Sequence, residues 1–492
     1  MKTRPKAKIK ENIKEKIVSL ILILFFVCPL IVILSYFKID FSVNIQDLGS
    51  AVLYSSLQGL VTSLICLSLA LLLVPQLAKY DSKRIQIFNN LSLLPSIMPS
   101  IFTLLIVFSL FKKFPFGFKG ITIIFCTIYF GFAVVALLNA FNAKVRKYSA
   151  TLELYKISVF LKYKKIYLPI LFQDILNIAV IIFLGCVSSL SVPLVAGLGK
   201  IPNLEVLIYE SVFINGNWSM AAVMMVIQAG FVYLISKCFS SRQDKTISQN
   251  YSLIKSTKKI SLALIVFAIY IGFYIGGYAY QVTKALVQID ISKLNIVSFL
   301  NSATASILLS VLTIFIFSII VSLLIYLLFK KFNNQFVMNF LLPSTTLVGF
   351  SLYLLFNQFQ SEMIDVLKIA IGLNLIFSLI FFKSYIMPEV KIILGQIQTA
   401  RIYSLDYLMC FKNIIFPQIK KSVFLCFSVL FLYSFCEFAL IKAAGSQVLF
   451  SGIFLERLIS SYRLDLGFIY SFFILCICGL FFQIVRLFNV KN

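Results

Sequence analysis

The chain alternates between long apolar stretches and short basic ones. About 18 or more apolar residues suffice to cross a ~30 Å hydrocarbon layer as a helix. Twelve such runs stand out, at roughly 17–37, 51–75, 91–111, 120–142, 170–196, 219–236, 260–280, 297–329, 337–356, 366–387, 422–441 and 466–485. The pattern predicts an all-α polytopic membrane protein with about 12 transmembrane helices. The first run follows the basic segment 1–16 and no small-x-small cleavage site comes after it, so it reads as a retained anchor. With the N-terminus inside, 33 of the 44 Lys and Arg residues fall in loops on that side and 11 on the other. Basic residues favour the cytoplasmic face, so both termini are expected in the cytoplasm.

Composition removes other classes. Hydrophobic residues make up 60% of the chain and charged residues 13%, which rules out a soluble enzyme. The formal charge is +26, but its charges sit in short loops rather than on one patch, so no nucleic-acid partner is expected. The absence of His removes the commonest acid–base group and metal ligand near neutral pH. Of the ten Cys, none form a CxxC pair and most lie in apolar runs, so no disulfide framework or metal site is expected. No GxxxxGK[ST] loop is present to cradle ATP. The expectation is a non-enzyme that binds no cofactor of its own.

The chain also repeats itself. LLPS occurs at Leu93–Ser96 and again 248 residues later at Leu341–Ser344. Pro169 and Pro417 share that offset of 248, and so do Asn217 and Asp465, which open the last span of each half. Two halves of six spans are predicted, residues 1–242 and 260–492, joined by a cytoplasmic linker at 243–259. An even number of spans makes the copies parallel rather than inverted. Pro95 and Pro343 are expected to kink the third span of each half.

Between the fourth and fifth spans of each half lies a long cytoplasmic loop, 143–169 and 388–417. Each shows helical periodicity interrupted near its middle, then a basic stretch, then Pro169 or Pro417 in the first turn of the next helix. Two short surface helices with an apolar face fit either a groove on a soluble partner or the bilayer interface.

The spacing resembles the EAA loop of ATP-binding-cassette importer permeases, E-A-A-x3-G-x9-I-x-L-P. Half two places Gln398, Thr399, Ala400, Ser404, Ile414, Phe416 and Pro417 at the motif positions; half one places Ala150, Thr151, Leu152, Lys156, Ile166, Leu168 and Pro169. The motif Glu is absent from both, and its Gly is Lys156 or Ser404. Asn203–Gln228, Ile459–Leu475 and the CEFAL of Cys436–Leu440 are similar to segments of the single-chain, two-repeat thiamine and ferric-iron permeases. The resemblance implies a type I importer (MetI-like) fold in a bacterial cytoplasmic (inner) membrane. Coupling residues would be Ala150, Glu153, Tyr155, Lys156 and Pro169 in one loop, and Gln398, Ala400, Tyr403, Ser404 and Pro417 in the other. It implies a dimer of ATPase subunits on the cytoplasmic face, where ATP is hydrolysed, and a periplasmic binding protein delivering thiamine-type solute or ferric iron.

An ionisable residue inside a span faces a pathway or a partner. Glu437 in the eleventh span either lines the translocation path or bonds a neighbouring helix. Ser188 and Ser189, near the matching place in half one, either line the path or allow close packing. Arg457, Arg463 and Asp465, with Glu205 and Glu210 in the matching loop of half one, either dock a binding protein or are solvated. The rival class is a 12-span secondary transporter of the major-facilitator type, which leaves the long loops without a role.

Overall fold

The computed structural model describes residues 4–35, 45–79, 88–111, 113–145, 148, 158–197, 203–239, 262–288, 295–330, 344–359, 361–403 and 405–490. Among them the chain is helical and contains no strand. The first half supplies α1 (Arg4–Ser35), α2 (Ile45–Leu77), α3 (Ser100–Leu110), α4 (Phe118–Lys144), α5 (Leu168–Val187), α6 (Leu204–Phe213) and α7 (Trp218–Phe239). The second supplies α8 (Leu262–Gln288), α9 (Ile296–Phe329), α10 (Thr345–Phe356), α11 (Glu362–Phe381), α12 (Leu394–Ile402), α13 (Phe416–Cys436), α14 (Ser451–Ser460) and α15 (Leu464–Val490). Among the described residues, ten helical segments are long and apolar enough to cross a membrane. The chain is a multi-pass helical membrane protein.

Two of the twelve expected spans, the third of each half, are shorter. α3 has 11 residues and α10 has 12, and a helix of that length reaches only about 18 Å. The break in half one lies at Pro99. Met98 before it is extended, with ψ 141°, because the proline ring excludes the helical conformation from the preceding residue. Pro95 sits in the first turn of the short helix Leu94–Ile97, just after the turn at Leu93 that parts it from helical residues 88–92. Pro343 lies outside the described residues.

The helices sort into two compact units: Met1–Ile39 with Lys293–Arg457 and Tyr470–Asn492, and Asp40–Ser292 with Leu458–Ile469. These units cut across the halves 1–242 and 260–492 read from the sequence. α1 packs on α9 and α10, and α8 packs on α2 and α3. Each half therefore gives its first helix to the other half's unit. α8 is fastened by hydroxyls: Tyr274 to Thr103 at 3.1 Å, and Tyr270 donating to the Thr127 carbonyl at 2.8 Å.

Within the units, α2 packs on α4 and α5 while α9 packs on α11 and α13. Lipid tails are as apolar as Leu, so small residues and hydrogen bonds decide which helix faces meet. On α9 the buried stripe reads Ser302, Ser306, Ser310 and Thr313. Ser434 of α13 donates to Ser310 at 2.8 Å, and the Asn374 amide of α11 donates to the Thr313 carbonyl at 3.0 Å. On α4, Gly131 lets the Ser92 backbone approach; a Cβ there would lie 1.9 Å from the Ser92 oxygen.

Candidate functional site: two paired helix roots and two helix breaks

Each fifth span begins with the same sequence of turns. Val159–Lys162 is α-helical, Tyr163–Tyr167 forms a π turn, and α5 continues from Leu168. At the same offset, Tyr407–Cys410 is α-helical, Phe411–Ile415 forms a π turn, and α13 continues from Phe416. A proline stands just beyond each wide turn. Pro169 and Pro417 have no N–H to give the carbonyl four residues back, and their rings crowd it. The N–H just before each proline reaches five residues back instead of four: Leu168 donates to Tyr163 and Phe416 to Phe411. A third π turn, Phe382–Ile386, likewise stands just before Pro388. The position matching Pro388 in half one is Ala140, and α4 runs through it as regular helix.

The prolines thus do not open new helices, as the sequence reading has it. Each lies inside a continuous helix that begins ten residues earlier, at Val159 or Tyr407. A tyrosine pins each root. The Tyr163 hydroxyl donates to the Leu71 carbonyl at 3.2 Å, an acceptor that Pro75 has deprived of its usual helical donor. The Tyr407 hydroxyl donates to the Ser322 carbonyl at 3.0 Å, near the same end of α9.

In half two the arm before this root is described. Ile393, just before α12, and Ile397 and Ala400 within it recur at helical spacing, and all three are buried. Gln398 and Pro417 are exposed. The tip carries Ile402 and Tyr403, 79% and 77% exposed, with Leu408 and Met409 beside them at 70% and 61%. Such exposure of large apolar groups in a run bearing Arg401, Asp406 and Lys412 makes the tip a sticky, amphipathic surface. Ala150, Glu153, Tyr155, Lys156 and Ser404 lie outside the described residues, while Pro169 is exposed beside its π turn.

The far ends of the fifth spans also match. α5 stops at Val187 and a short helix, Ser191–Ala196, follows; α13 stops at Cys436 and Ala439–Ala443 follows. Ser188 and Ser189 occupy the first break, half-buried, and Ser189 lies 3.4 Å from Ser191, which accepts from Ser100 at 2.8 Å. Glu437 occupies the second. Its Oε1 accepts the Leu440 N–H at 2.9 Å, capping the short helix that follows. Gly452 backs onto it, where a Cβ would stand 2.2 Å from the Glu437 carbonyl oxygen.

Beyond the breaks, α6 and α14 start alike. The Leu204 N–H donates to Ser55 on α2 at 3.0 Å, and the Ser451 N–H donates to Ser306 on α9 at 2.8 Å. Sequence reasoning missed this pair, although serines recur on one face of α2 and α9. It also treated 203–217 as a loop bearing external charges. Glu205 is instead fully buried and accepts from Gln228 on α7 at 2.5 Å, so it cannot dock a protein. Lys442 pairs with Glu456 at 2.9 Å, and Asp365 accepts from Ser446 and from the Gln447 N–H at 2.9 and 3.0 Å.

No protein-family model, curated protein or solved structure matches the chain.

Proposed function

We propose that the chain is the transmembrane permease subunit of an ATP-binding-cassette importer, with both halves of the pathway in one polypeptide. The observation that carries this reading is the pair of helix roots, 248 residues apart, each with a π turn, a proline and a tyrosine tie to the second helix of its half. A root of this kind transmits a push. The tyrosine joins the arm to α2 or α9, and the π turn is a place where helix register can shift. The exposed apolar tip at Ile402, Tyr403, Leu408 and Met409 is a surface for a soluble motor to hold.

In this reading a separate ATPase dimer closes on ATP and drives both arms. The fifth spans then rock as rigid bodies, moving the breaks at Ser188–Ser189 and Glu437 and switching access to the path. An external binding protein supplies the solute, for which thiamine-type compounds and ferric iron are the candidates. In this reading the two short third helices, α3 and α10, belong to the third span of each half. A major-facilitator carrier has no use for the arms.

The test is reconstitution with the copurified ATPase in liposomes. Truncating Tyr403 and Ser404 to Ala is expected to leave insertion intact and ATP hydrolysis running while solute uptake falls at least tenfold. Undiminished uptake in that variant would overturn the reading.

A further inference from the structure

Midway along α7 a group of polar side chains meets inside the unit Asp40–Ser292. Gln228 is the eleventh of the 22 residues of α7, and its amide donates to Glu205 on α6 at 2.5 Å. The Glu205 N–H donates to Asn203 Oδ1 at 3.0 Å, and the Leu204 N–H between them donates to Ser55 on α2 at 3.0 Å. Gln58 stands one turn beyond Ser55 on the same buried face of α2.

These side chains are sealed in, yet their hydrogen bonds do not close. Gln58, Asn203 and Gln228 are each at most 2% exposed. Gln58 Nε2, Asn203 Nδ2 and Gln228 Oε1 nevertheless have no partner among the described residues. Polar atoms buried in this way are normally satisfied, by protein or by ordered water. The second half shows the same positions closed. The offset of 248 takes Gln58 to Ser306 and Asn203 to Ser451. There the Ser451 N–H donates to Ser306 at 2.8 Å and the Ser451 hydroxyl to the Ser302 carbonyl at 3.2 Å. Short hydroxyls meet directly in half two, whereas half one brings two amide donors and one carbonyl that do not reach each other.

The open ends select their occupant. Two N–H donors repel a cation, and the Glu205 carboxylate beside them repels an anion. What fits is a small neutral molecule that accepts two hydrogen bonds and gives one. Ile208 and Met224, one turn from Glu205 and Gln228, are buried and wall the place off from solvent. Water has the required size and valence, and two to four polar partners suffice to hold it.

We propose that half one binds an ordered water midway along α7, which accepts from Gln58 and Asn203 and donates to Gln228, while the serine-built counterpart in half two is dry. The water joins α6 to α2 and α7, so the two halves differ in how this short helix is fastened. The proposal does not depend on what the chain transports.

The experiment is X-ray hydroxyl-radical footprinting of the full chain in nanodiscs, read by mass spectrometry. Radicals formed on a bound water attack the side chains around it, so a buried residue is marked only where water is beside it. Met224 is expected to oxidise about tenfold faster than Cys426, a buried thiol midway along α13, although thiols are the more reactive group. Gln58→Leu combined with Asn203→Ser, which keeps a capping oxygen for α6, should bring Met224 down to the Cys426 rate. Equal rates in wild type would overturn the proposal. So would fast oxidation that persists in the double variant, which would assign the mark to bulk water entering as the helices open. The wild-type comparison needs no substitution and decides the matter even where the double variant fails to insert.

Discussion

A carboxylate within an apolar run needs a partner, and Glu437 finds one three residues away. Its oxygen takes the Leu440 N–H at 2.9 Å, a donor that the break after Cys436 leaves without a helical acceptor. The charge is in the sequence, but its use as a cap depends on where the helix stops. Two substitutions separate cap from charge. Glu437→Ala is expected to cost about 1 kcal/mol of stability. Glu437→Gln keeps an acceptor and should melt within a few tenths of wild type, as detergent melting curves would show. A transport defect in Glu437→Gln despite its wild-type melting would then assign the charge itself to the path. Gly452 is tied to the same place, since any Cβ there meets the Glu437 carbonyl at 2.2 Å. Gly452→Ala should therefore lower the melting temperature more than an Ala at Gly230, which has open space around it.

At the scale of helices, each of the three π turns among the described residues has a proline two residues on, at Pro169, Pro388 and Pro417, whereas Pro29 and Pro75 lie in α1 and α2 without one. Ala140, where half one lacks the proline, leaves α4 regular, which makes the comparison internal to the chain. Pro417→Ala should let Phe411–Ile415 close into α-helix, since the clash that widens it is gone. Losing that extra residue rotates the arm by about 100° relative to α13, at 3.6 residues per turn. Cysteine cross-linking between positions 403 and 416 should report the rotation, and an unchanged cross-linking pattern would refute the proline explanation. Tyr163→Phe and Tyr407→Phe remove one hydrogen bond each, an expected loss of about 1 kcal/mol apiece. Their larger effect should be on coupling between ATP hydrolysis and uptake, because the tie lies on the route from arm to bundle.

For the molecule as a whole, the decisive feature is that α1 belongs with α9 and α10, and α8 with α2 and α3. A chain cut within the 243–259 linker leaves each fragment one helix short of its own unit and holding one that completes the other. Fragments 1–250 and 251–492, produced together, should copurify in mild detergent. Separately produced fragments should be unstable, and deletion of residues 1–44 should weaken retention of the second fragment most. Stable, independent fragments would show that the exchanged packing contributes little. Reporter fusions at the two ends should both score as cytoplasmic if the lysine and arginine bias sets the orientation.

Much of this architecture is written along the chain. Apolar run length marks twelve spans, of which ten are membrane-length helices among the described residues, and a shared offset of 248 marks the duplicated roots. A proline follows each π turn, but Pro29 and Pro75 lie in regular helix, so proline alone does not mark one. These are local properties: transfer of a segment into hydrocarbon, or a clash within one turn, is settled by a few neighbouring residues. What only the tertiary structure decided is partnership. Glu205 reads as a loop charge until α7 brings Gln228 against it, and Ser55 and Ser306 read as ordinary small residues until α6 and α14 present their first N–H groups. The exchange of α1 and α8 is equally silent in one dimension. Helices of similar apolarity gain nothing from choosing one neighbour over another except surface fit and hydrogen bonds, and those exist only once two surfaces meet.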